Sequence, residues 1–210
     1  MNFGFLIFPF VEELDFIGPW EMVGMWSKYF DGPKNYFLVS QVAEMIQCAK
    51  GLKVIADYDF MKCPALDYLL IPGGQGTWQE VENQTLLDFV RSRTAKCQHV
   101  LSVCTGAFIL QAAGLLLEKR VTTHWRALNR LRQRLGEQVI EERIVRDGNV
   151  WSAAGVSAGI DLVLALIADL AGEEVAGQVQ MAAEYYPSHM RYGQAHLATE
   201  APAYLCVSRR

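Results

Sequence analysis

Short apolar runs alternate with longer stretches of helical periodicity along almost the whole chain. The predicted strands cover residues 3–8, 36–42, 67–71 and 99–103, followed by a hairpin with arms at 139–145 and 150–153. The predicted helices cover about 18–29, 83–95, 106–117, 122–135, 157–171 and 173–186. Such alternation predicts an α/β three-layer sandwich, in which a mostly parallel sheet carries helices on both faces. The stretch 45–54 is ambiguous and is a candidate small hairpin around Lys50-Gly51.

Length and composition indicate one domain spanning residues 1–210. The chain contains no internal repeat and no stretch with the composition of a linker, and its 51% apolar content is ample for a core. The net charge is −4 and the basic residues are scattered. The densest basic stretch, 126–134, interleaves with leucines, which favours the solvated face of an amphipathic helix over an anion or nucleic-acid patch. We therefore expect no nucleic-acid partner.

Cysteine usage points to a reducing compartment. The five cysteines are odd in number and widely spaced, and they contain no CxxC pair, so neither a disulfide framework nor a zinc site is expected. The apolar N-terminus has no basic leader and is far shorter than a membrane span, so a buried first strand explains it better. A cytoplasmic protein with no membrane partner and no metal is expected.

The strongest chemical candidate is Cys104. A predicted strand ends at Val103 and an apolar helix begins at Gly106, so this cysteine lies at an abrupt strand-to-helix turn. Such a turn presents the junction side chain above the sheet, and a nearby glycine relieves crowding. The helix N-terminus should stabilise a thiolate and lower the cysteine pKa. The alternative, a small buried cysteine, is favoured for the other four cysteines of the chain.

Two further strand ends lie at the same expected edge of the sheet. Asp15 follows the first strand among apolar neighbours, and it is either a helix N-cap or an acid–base group whose pKa is raised by burial. Gly73 and Gly74 follow the third strand and either form a plain loop or converge their N–H groups on an oxyanion.

The second half of the chain adds weaker candidates. His124 lies near a predicted element boundary, although a lone histidine is more often a structural hydrogen-bonding group than a catalyst. The small residues of 153–161, which include Gly155 and Val156, are explained mostly by close helix packing and in part as a wall of the site.

Four motifs in this order resemble the DJ-1/PfpI (ThiJ) superfamily of flavodoxin-like, class I glutamine amidotransferase-like domains. They are IPGGQG (71–76), SVCTGAF (102–108), VTTHW (121–125) and SAGID (157–161). The segments ELDFIGPWE (13–21) and ERIVRDGN (142–149) are similar to the isocyanide hydratase branch. The resemblance runs from about residue 4 to residue 186. It does not extend to the segment after Tyr186.

The resemblance implies roles for individual residues. Cys104 matches the superfamily's elbow cysteine, and Asp15 matches the acidic residue that hydrogen-bonds this sulfur. Thr105 matches the residue that follows the cysteine in hydratases; the superfamily's proteases have histidine there, which argues against a Cys-His peptidase. His124 matches a histidine near the cysteine in DJ-1-like members and is a secondary candidate. Ala153 and Ala154 replace glycines that the hydratases tend to have.

The implied function is hydration of an isocyanide to an N-substituted formamide through a thioimidate on Cys104, without a cofactor. The substrate would be a small molecule, and a homodimer is expected from the resemblance. One alternative is a non-enzymatic small-molecule or redox sensor, related to the ligand-binding half of transcriptional regulators, although no room for a DNA-binding part is expected after the last helix. Another alternative is glyoxalase-like activity on small aldehydes, which could use His124.

Overall fold

The computed structural model describes residues 1–187 and 192–205. The strands are β1 (Asn2–Leu6), β2 (Asn35–Ser40), β3 (Met45–Gln47), β4 (Lys53–Ile55), β5 (Tyr58–Asp59), β6 (Tyr68–Ile71), β7 (His99–Val103), β8 (Ile144–Asp147) and β9 (Val150–Ala153). Seven of them form one sheet in the order β5-β2-β1-β6-β7-β9-β8, in which only the β9–β8 pair is antiparallel. β3 and β4 form a separate antiparallel hairpin, which confirms the candidate hairpin around Lys50-Gly51.

Helices cover both faces of the sheet, as predicted for a flavodoxin-like α/β protein. They are α1 (Glu13–Tyr29), α2 (Thr77–Glu80), α3 (Gln84–Thr94), α4 (Gly106–Ala112), α5 (Leu128–Leu135), α6 (Ala158–Ala171) and α7 (Glu173–Ala182). α1, α6 and α7 pack on one another, whereas α4 packs against α2, α3 and the strands β6 and β7. Among the described residues, no helix combines the length and apolar character needed to cross a bilayer.

The central strands are apolar because they are buried on both faces. All four residues of β6 and all four of β9 are buried. Parallel register places Ile71 beside Ser102, and Val103 beside Ala153. The segments that follow β6, β7 and β9 therefore meet at one edge of the sheet, where the candidate residues lie.

The prediction for the first helix was wrong at its beginning. α1 begins at Glu13, five residues before the predicted start, and Pro19 lies inside it. Pro19 has no N–H to donate to the carbonyl of Asp15, and such a residue usually marks a helix start. Here α1 continues through it because its buried residues, which include Phe16, Met22 and Trp26, pack into the core.

Other boundaries also differ from those predicted. α4 ends at Ala112, because the chain turns at Gly114, which has a φ of 76°. The helix predicted from residue 122 begins only with a 3₁₀ turn at Trp125–Ala127, followed by α5. The short elements β5 and α2 were not predicted, since neither has an apolar pattern long enough to stand out.

Candidate active site

Cys104 lies on a strained elbow between β7 and α4. Its φ is 57°, a left-handed conformation that costs a non-glycine residue about 1 to 3 kcal/mol. The neighbouring backbone holds it in place: the Cys104 N–H donates to the carbonyl oxygens of Ala153 (3.1 Å) and Ala154 (2.8 Å). On the other side, the Thr123 hydroxyl donates to the Cys104 carbonyl oxygen at 2.7 Å. The predicted abrupt turn is confirmed.

Two glycines allow the elbow to pack directly against the turn after β6. A Cβ on Gly106 would lie 2.1 Å from the carbonyl oxygen of Ile71. A Cβ on Gly73 would lie 2.4 Å from the backbone nitrogen of Thr105. Real Cβ atoms do not tolerate such distances to backbone atoms, so both positions require glycine. Gly106 therefore relieves crowding at the elbow, as the sequence predicted.

Asp15 is fully buried in the first turn of α1 and faces the elbow. It is not the N-cap, because Glu12 occupies that position. Asp15 Oδ2 accepts the Gly73 N–H at 2.8 Å, and Asp15 Oδ1 has no hydrogen-bond partner in the described part of the chain. An interaction with the Cys104 thiol contributes to the pKa of Asp15, so the carboxyl and the sulfur adjoin. Of the two sequence-based alternatives, the geometry excludes the N-cap.

The N–H groups of Gly73 and Gly74 do not form the predicted oxyanion site. The Gly73 N–H is bound to Asp15, and the Gly74 N–H donates to Thr105 Oγ1 at 3.0 Å. Thr105 Oγ1 also shares a 2.9 Å hydrogen bond with the Thr77 hydroxyl. These glycines thus hold the Asp15 and Thr105 side chains in place, which is a positioning role.

The N–H donors that serve the sulfur are those of Thr105 and Val156, both of which lower the pKa of Cys104. Val156 has a φ of 45°, which is exceptional for a β-branched residue. It lies in the turn between β9 and α6. The chain therefore accepts backbone strain at both Cys104 and Val156, and the two strained residues adjoin.

The structure corrects the predicted pKa of Cys104. Burial raises the pKa of this thiol, and the charge of Asp15 raises it further, against the lowering effect of the Thr105 and Val156 N–H groups. Only 7% of the residue is exposed. The N-terminus of α4 does lie beside Cys104, as predicted. However, the cost of burying a thiolate raises the pKa of Cys104 by more than the backbone donors lower it.

Burial also raises the pKa of Asp15, to about 8. The charge of Glu12 raises it as well, whereas the Gly73 N–H, the Cys104 thiol and Lys50 lower it. Asp15 and Cys104 therefore titrate as a coupled pair, since a charge on either one opposes a charge on the other. The first proton leaves the pair from Asp15, the group with the lower pKa, and the two backbone donors can stabilise the sulfur anion once the thiol proton has moved to the carboxylate.

His124 has structural contacts. Its Nδ1 accepts the Arg126 N–H at 3.2 Å and caps the 3₁₀ turn. Its ring lies against Gly155, where a Cβ would come within 2.3 Å of His124 Cδ2. Burial and the charge of Arg126 lower the pKa of His124, which favours the neutral imidazole. Gly155, predicted as a wall of the site, leaves room for this ring.

Sequence reasoning missed three residues around the elbow. Thr123 and Thr77 hold the elbow through the hydrogen bonds described above, and Glu12 raises the pKa of Asp15. Thr123 lies within the VTTHW motif (121–125), and that motif was the available signal. Within residues 1–187 and 192–205, no cluster of three His, Cys, Asp or Glu side chains could hold a metal ion. Four cysteines are free thiols, and Cys206 lies outside the described residues.

A parallel α/β sheet with a strained elbow cysteine and a buried carboxyl beside it defines a flavodoxin-like protein with a cysteine-centred site. The family model of the DJ-1/PfpI family matches residues 3–169, and the chain belongs to this family. The resemblance inferred from the four motifs is thereby confirmed.

Relatives within this family differ in what they do. The chain is 39% identical to the isonitrile hydratase of Pseudomonas putida over 188 residues, which is 90% of this chain and 80% of that protein. It is 25% identical to the HTH-type transcriptional regulator CdhR of Pseudomonas aeruginosa over its whole length, which is 62% of that regulator. The family therefore includes both a named enzyme and a named regulator.

Solved structures agree with the fold. The crystal structure of a ThiJ/PfpI family protein from Pseudomonas syringae superposes with a TM-score of 0.85 at 30% identity, covering 97% of this chain and 82% of that one. Drosophila melanogaster DJ-1beta superposes with a TM-score of 0.76 at 18% identity, covering 89% and 98% of the two chains.

Proposed function

We propose that this protein is a cysteine-dependent hydro-lyase that adds water to an isocyanide and releases an N-substituted formamide. The observation that carries the proposal is the buried pair of Asp15 and Cys104, in which the carboxyl has a pKa of about 8 beside the sulfur. Such a carboxyl exchanges protons near neutral pH, as a group that alternates between acid and base must. The 39% identity to an isonitrile hydratase supports isocyanides as the substrate class.

In the first step, the pair reacts after it has lost one proton. The Asp15 carboxylate takes the proton of the Cys104 thiol, and the thiolate attacks the terminal carbon of R–N≡C and forms the S–C bond. The Asp15 carboxylic acid then gives that proton to the same carbon. The product is the thioimidate R–N=CH–S–Cys104, with Asp15 left as a carboxylate. The N–H groups of Thr105 and Val156 stabilise the sulfur anion before attack.

In the second step, the Asp15 carboxylate takes a proton from water as the water oxygen adds to the thioimidate carbon. Asp15 passes this proton to the nitrogen, and the S–C bond breaks with its electron pair on Cys104 Sγ. The proton that remains on the added oxygen returns to the Asp15–Cys104 pair as R–NH–CHO leaves. The active site regains its original protonation state. No oxidant, metal or organic cofactor enters this balance.

The regulator relative supports one competing function, a ligand-binding or redox-sensing module without turnover. Its similarity covers the whole of this chain. For a redox sensor the burial of Cys104 is unfavourable, because peroxide reacts with exposed thiolates.

Turnover separates the two functions. The purified protein is incubated with an isocyanide and the formamide is quantified by chromatography. We expect Cys104→Ala to abolish turnover and Asp15→Asn to reduce it about 100- to 10,000-fold, the usual contribution of acid–base catalysis. The matched control is Cys97→Ala, because Cys97 is also buried but precedes β7, at the opposite end of the strand from Cys104. Retained turnover in Cys104→Ala would end the proposal.

We also propose that the protein is a homodimer acting in a reducing cytoplasm, as the family resemblance implies. Light scattering coupled to size-exclusion chromatography tests the first point, with a mass of one 23.6 kDa chain as the contradicting result.

A further inference from the structure

The segment near the C-terminus returns to the candidate active site. Residues Ala203–Leu205 form a 3₁₀ turn, Pro202 before it is buried, and Tyr204 packs half-buried against the hydrophobic core. The Ala203 N–H donates to Glu141 Oε1 at 2.9 Å. Arg132 binds the other oxygen of the Glu141 carboxylate at 3.3 Å. The turn is therefore fixed to the body of the protein by both packing and hydrogen bonding.

The contact with Glu141 places Tyr204 beside the segment that holds Arg143. Glu141, which accepts the Ala203 N–H, lies two residues before Arg143 in the chain. Consistent with this position, burial raises the pKa of Tyr204, the charge of Arg143 lowers it, and the charges of Glu141 and Cys104 raise it.

The backbone independently connects Arg143 with the elbow. The Arg143 carbonyl oxygen accepts the Ala154 N–H at 2.9 Å, and the Ala154 carbonyl oxygen accepts the Cys104 N–H at 2.8 Å. The Arg143 side chain binds Asp161 at the start of α6, with 2.6 Å from Nε to Oδ2. Arg143 thus lies between the elbow and the C-terminal turn, with its side chain held in place.

A cleft also separates this segment from α5. Its volume is about 320 Å³, and its lining includes Trp125, Leu128, Glu141 and Pro202. The segment is therefore not packed solidly against α5 on this side.

We propose that Tyr204 is a specificity-determining residue that covers the opening above Cys104 and limits the size of the group that a substrate can carry. The exposure of Cys104 is only 7%, so whatever covers it decides which molecules reach the sulfur. The substrate class rests on the proposed function: if the substrate is an isocyanide, Tyr204 favours a small substituent on its nitrogen and disfavours a bulky one.

The first test does not depend on turnover. The rate at which iodoacetamide alkylates Cys104 is measured by mass spectrometry of the Cys104 peptide. We expect Tyr204→Ala to increase this rate several-fold and Tyr204→Phe, which retains the ring, to leave it unchanged. The matched control is Tyr192→Ala, since Tyr192 is a tyrosine of the same segment that is 85% exposed. Equal rates in the wild type and Tyr204→Ala would overturn the proposal.

A second variant covers the case in which Tyr204→Ala does not fold. Glu141→Gln weakens the anchor of the Ala203 N–H while retaining Tyr204, and we expect faster alkylation here as well. No increase in this variant, with Tyr204→Ala unfolded, would also overturn the proposal.

The second test measures specificity. We expect the ratio of kcat/KM for a benzyl isocyanide over a methyl isocyanide to rise at least several-fold in Tyr204→Ala and to stay constant in Tyr192→Ala. An unchanged ratio would contradict a role in specificity. If no isocyanide turns over, the proposed function fails, whereas the alkylation result still decides whether Tyr204 covers Cys104.

Discussion

At the scale of single residues, Asp15 and Cys104 act as one titrating unit. Each would carry its charge at a buried position; the charge of Asp15 raises the pKa of Cys104, whereas the hydrogen bond of the Cys104 thiol lowers the pKa of Asp15. The first proton therefore leaves the pair at about pH 8, and the form with one remaining proton is the one that the proposed mechanism uses. The reactivity of the sulfur follows from the pair and not from the thiol alone.

The pH dependence of turnover follows from this coupling. Below about pH 8 the pair carries both protons, so kcat/KM should rise with pH and level off above about 8. Glu12→Gln should shift this rise to lower pH, because the charge of Glu12 raises the pKa of Asp15. In this variant Lys50 also loses its ion-pair partner Glu12, and the charge of Lys50 lowers the pKa of Asp15. The control Glu118→Gln should leave the profile unchanged. A profile in Glu12→Gln that moves to higher pH would contradict the electrostatic account.

Stability should also report on the proton of Asp15. Because the folded-state pKa is raised from 3.8 to about 8, the proton stabilises the fold fully below about pH 4, and this contribution is lost as pH rises to about 8. Asp15→Asn does not lose a proton and can still accept the Gly73 N–H. The free energy of unfolding of Asp15→Asn, relative to that of the wild type, should therefore increase by up to about 1.4 kcal/mol for each pH unit in this window.

Denaturant unfolding at several pH values between about 5 and 9 measures this gain. The control is Asp88→Asn, whose carboxylate lies on the surface with 70% of its side chain exposed. For that variant, the difference from the wild type should stay constant. A constant difference for Asp15→Asn would show that Asp15 is ionised in the folded protein.

The local pattern pointed to Cys104, because a strand-to-helix junction is informative, but it left Asp15 as either an N-cap or an acid–base group. The family resemblance supplied the expected roles of Asp15 and Thr105. The sequence did not predict that the Gly73 and Gly74 N–H groups are occupied by Asp15 and Thr105. It also gave the wrong direction for the pKa of Cys104. Both depend on which distant residues surround a position, and that is set by tertiary packing.

At the scale of elements, the contact between the β7–α4 elbow and the turn after β6 depends on the absence of a side chain at residue 106. Gly106→Ala would place a Cβ 2.1 Å from the Ile71 carbonyl oxygen, and the backbone must move to avoid it. We expect a loss of about 3 kcal/mol in the free energy of unfolding, together with loss of turnover, because the same shift displaces Cys104.

Gly177→Ala is the matched control for Gly106→Ala. Gly177 is also helical, but a Cβ there would meet nothing within 4 Å. We expect it to be neutral or to stabilise the protein by up to about 1 kcal/mol, since alanine is the better helix former. Thermal and denaturant unfolding compare the two variants, and an unchanged stability of Gly106→Ala would contradict the close approach.

The elements themselves were predictable to different degrees. β7 was predicted to the residue and α3 to within one residue at each end, because an apolar run and the Asn83 cap mark them. The start of α1 was missed because Pro19 suggested a first turn, whereas packing of the apolar residues of α1 overrides the lost hydrogen bond. Local signals are weakest where tertiary contacts decide the boundary.

At the scale of the whole molecule, the topology brings the site together. In a parallel sheet, the carboxyl ends of β1, β6 and β7 lie at one edge, so residues distant in sequence become neighbours. The alternation of apolar runs predicted this edge. The packing of Tyr204 against the core was not predictable, because no local pattern in the segment after residue 186 indicates where that segment packs.

The raised pKa of Asp15 is the claim on which the site's chemistry depends. The most direct measurement is the titration of the Asp15 carboxyl carbon by ¹³C NMR, with the resonance assigned from its absence in Asp15→Asn. A midpoint near 8 is the result that the buried pair predicts. A midpoint near the ordinary value of 3.8 would mean that the Asp15 carboxylate is too weak a base to take the Cys104 proton, and it would contradict the account.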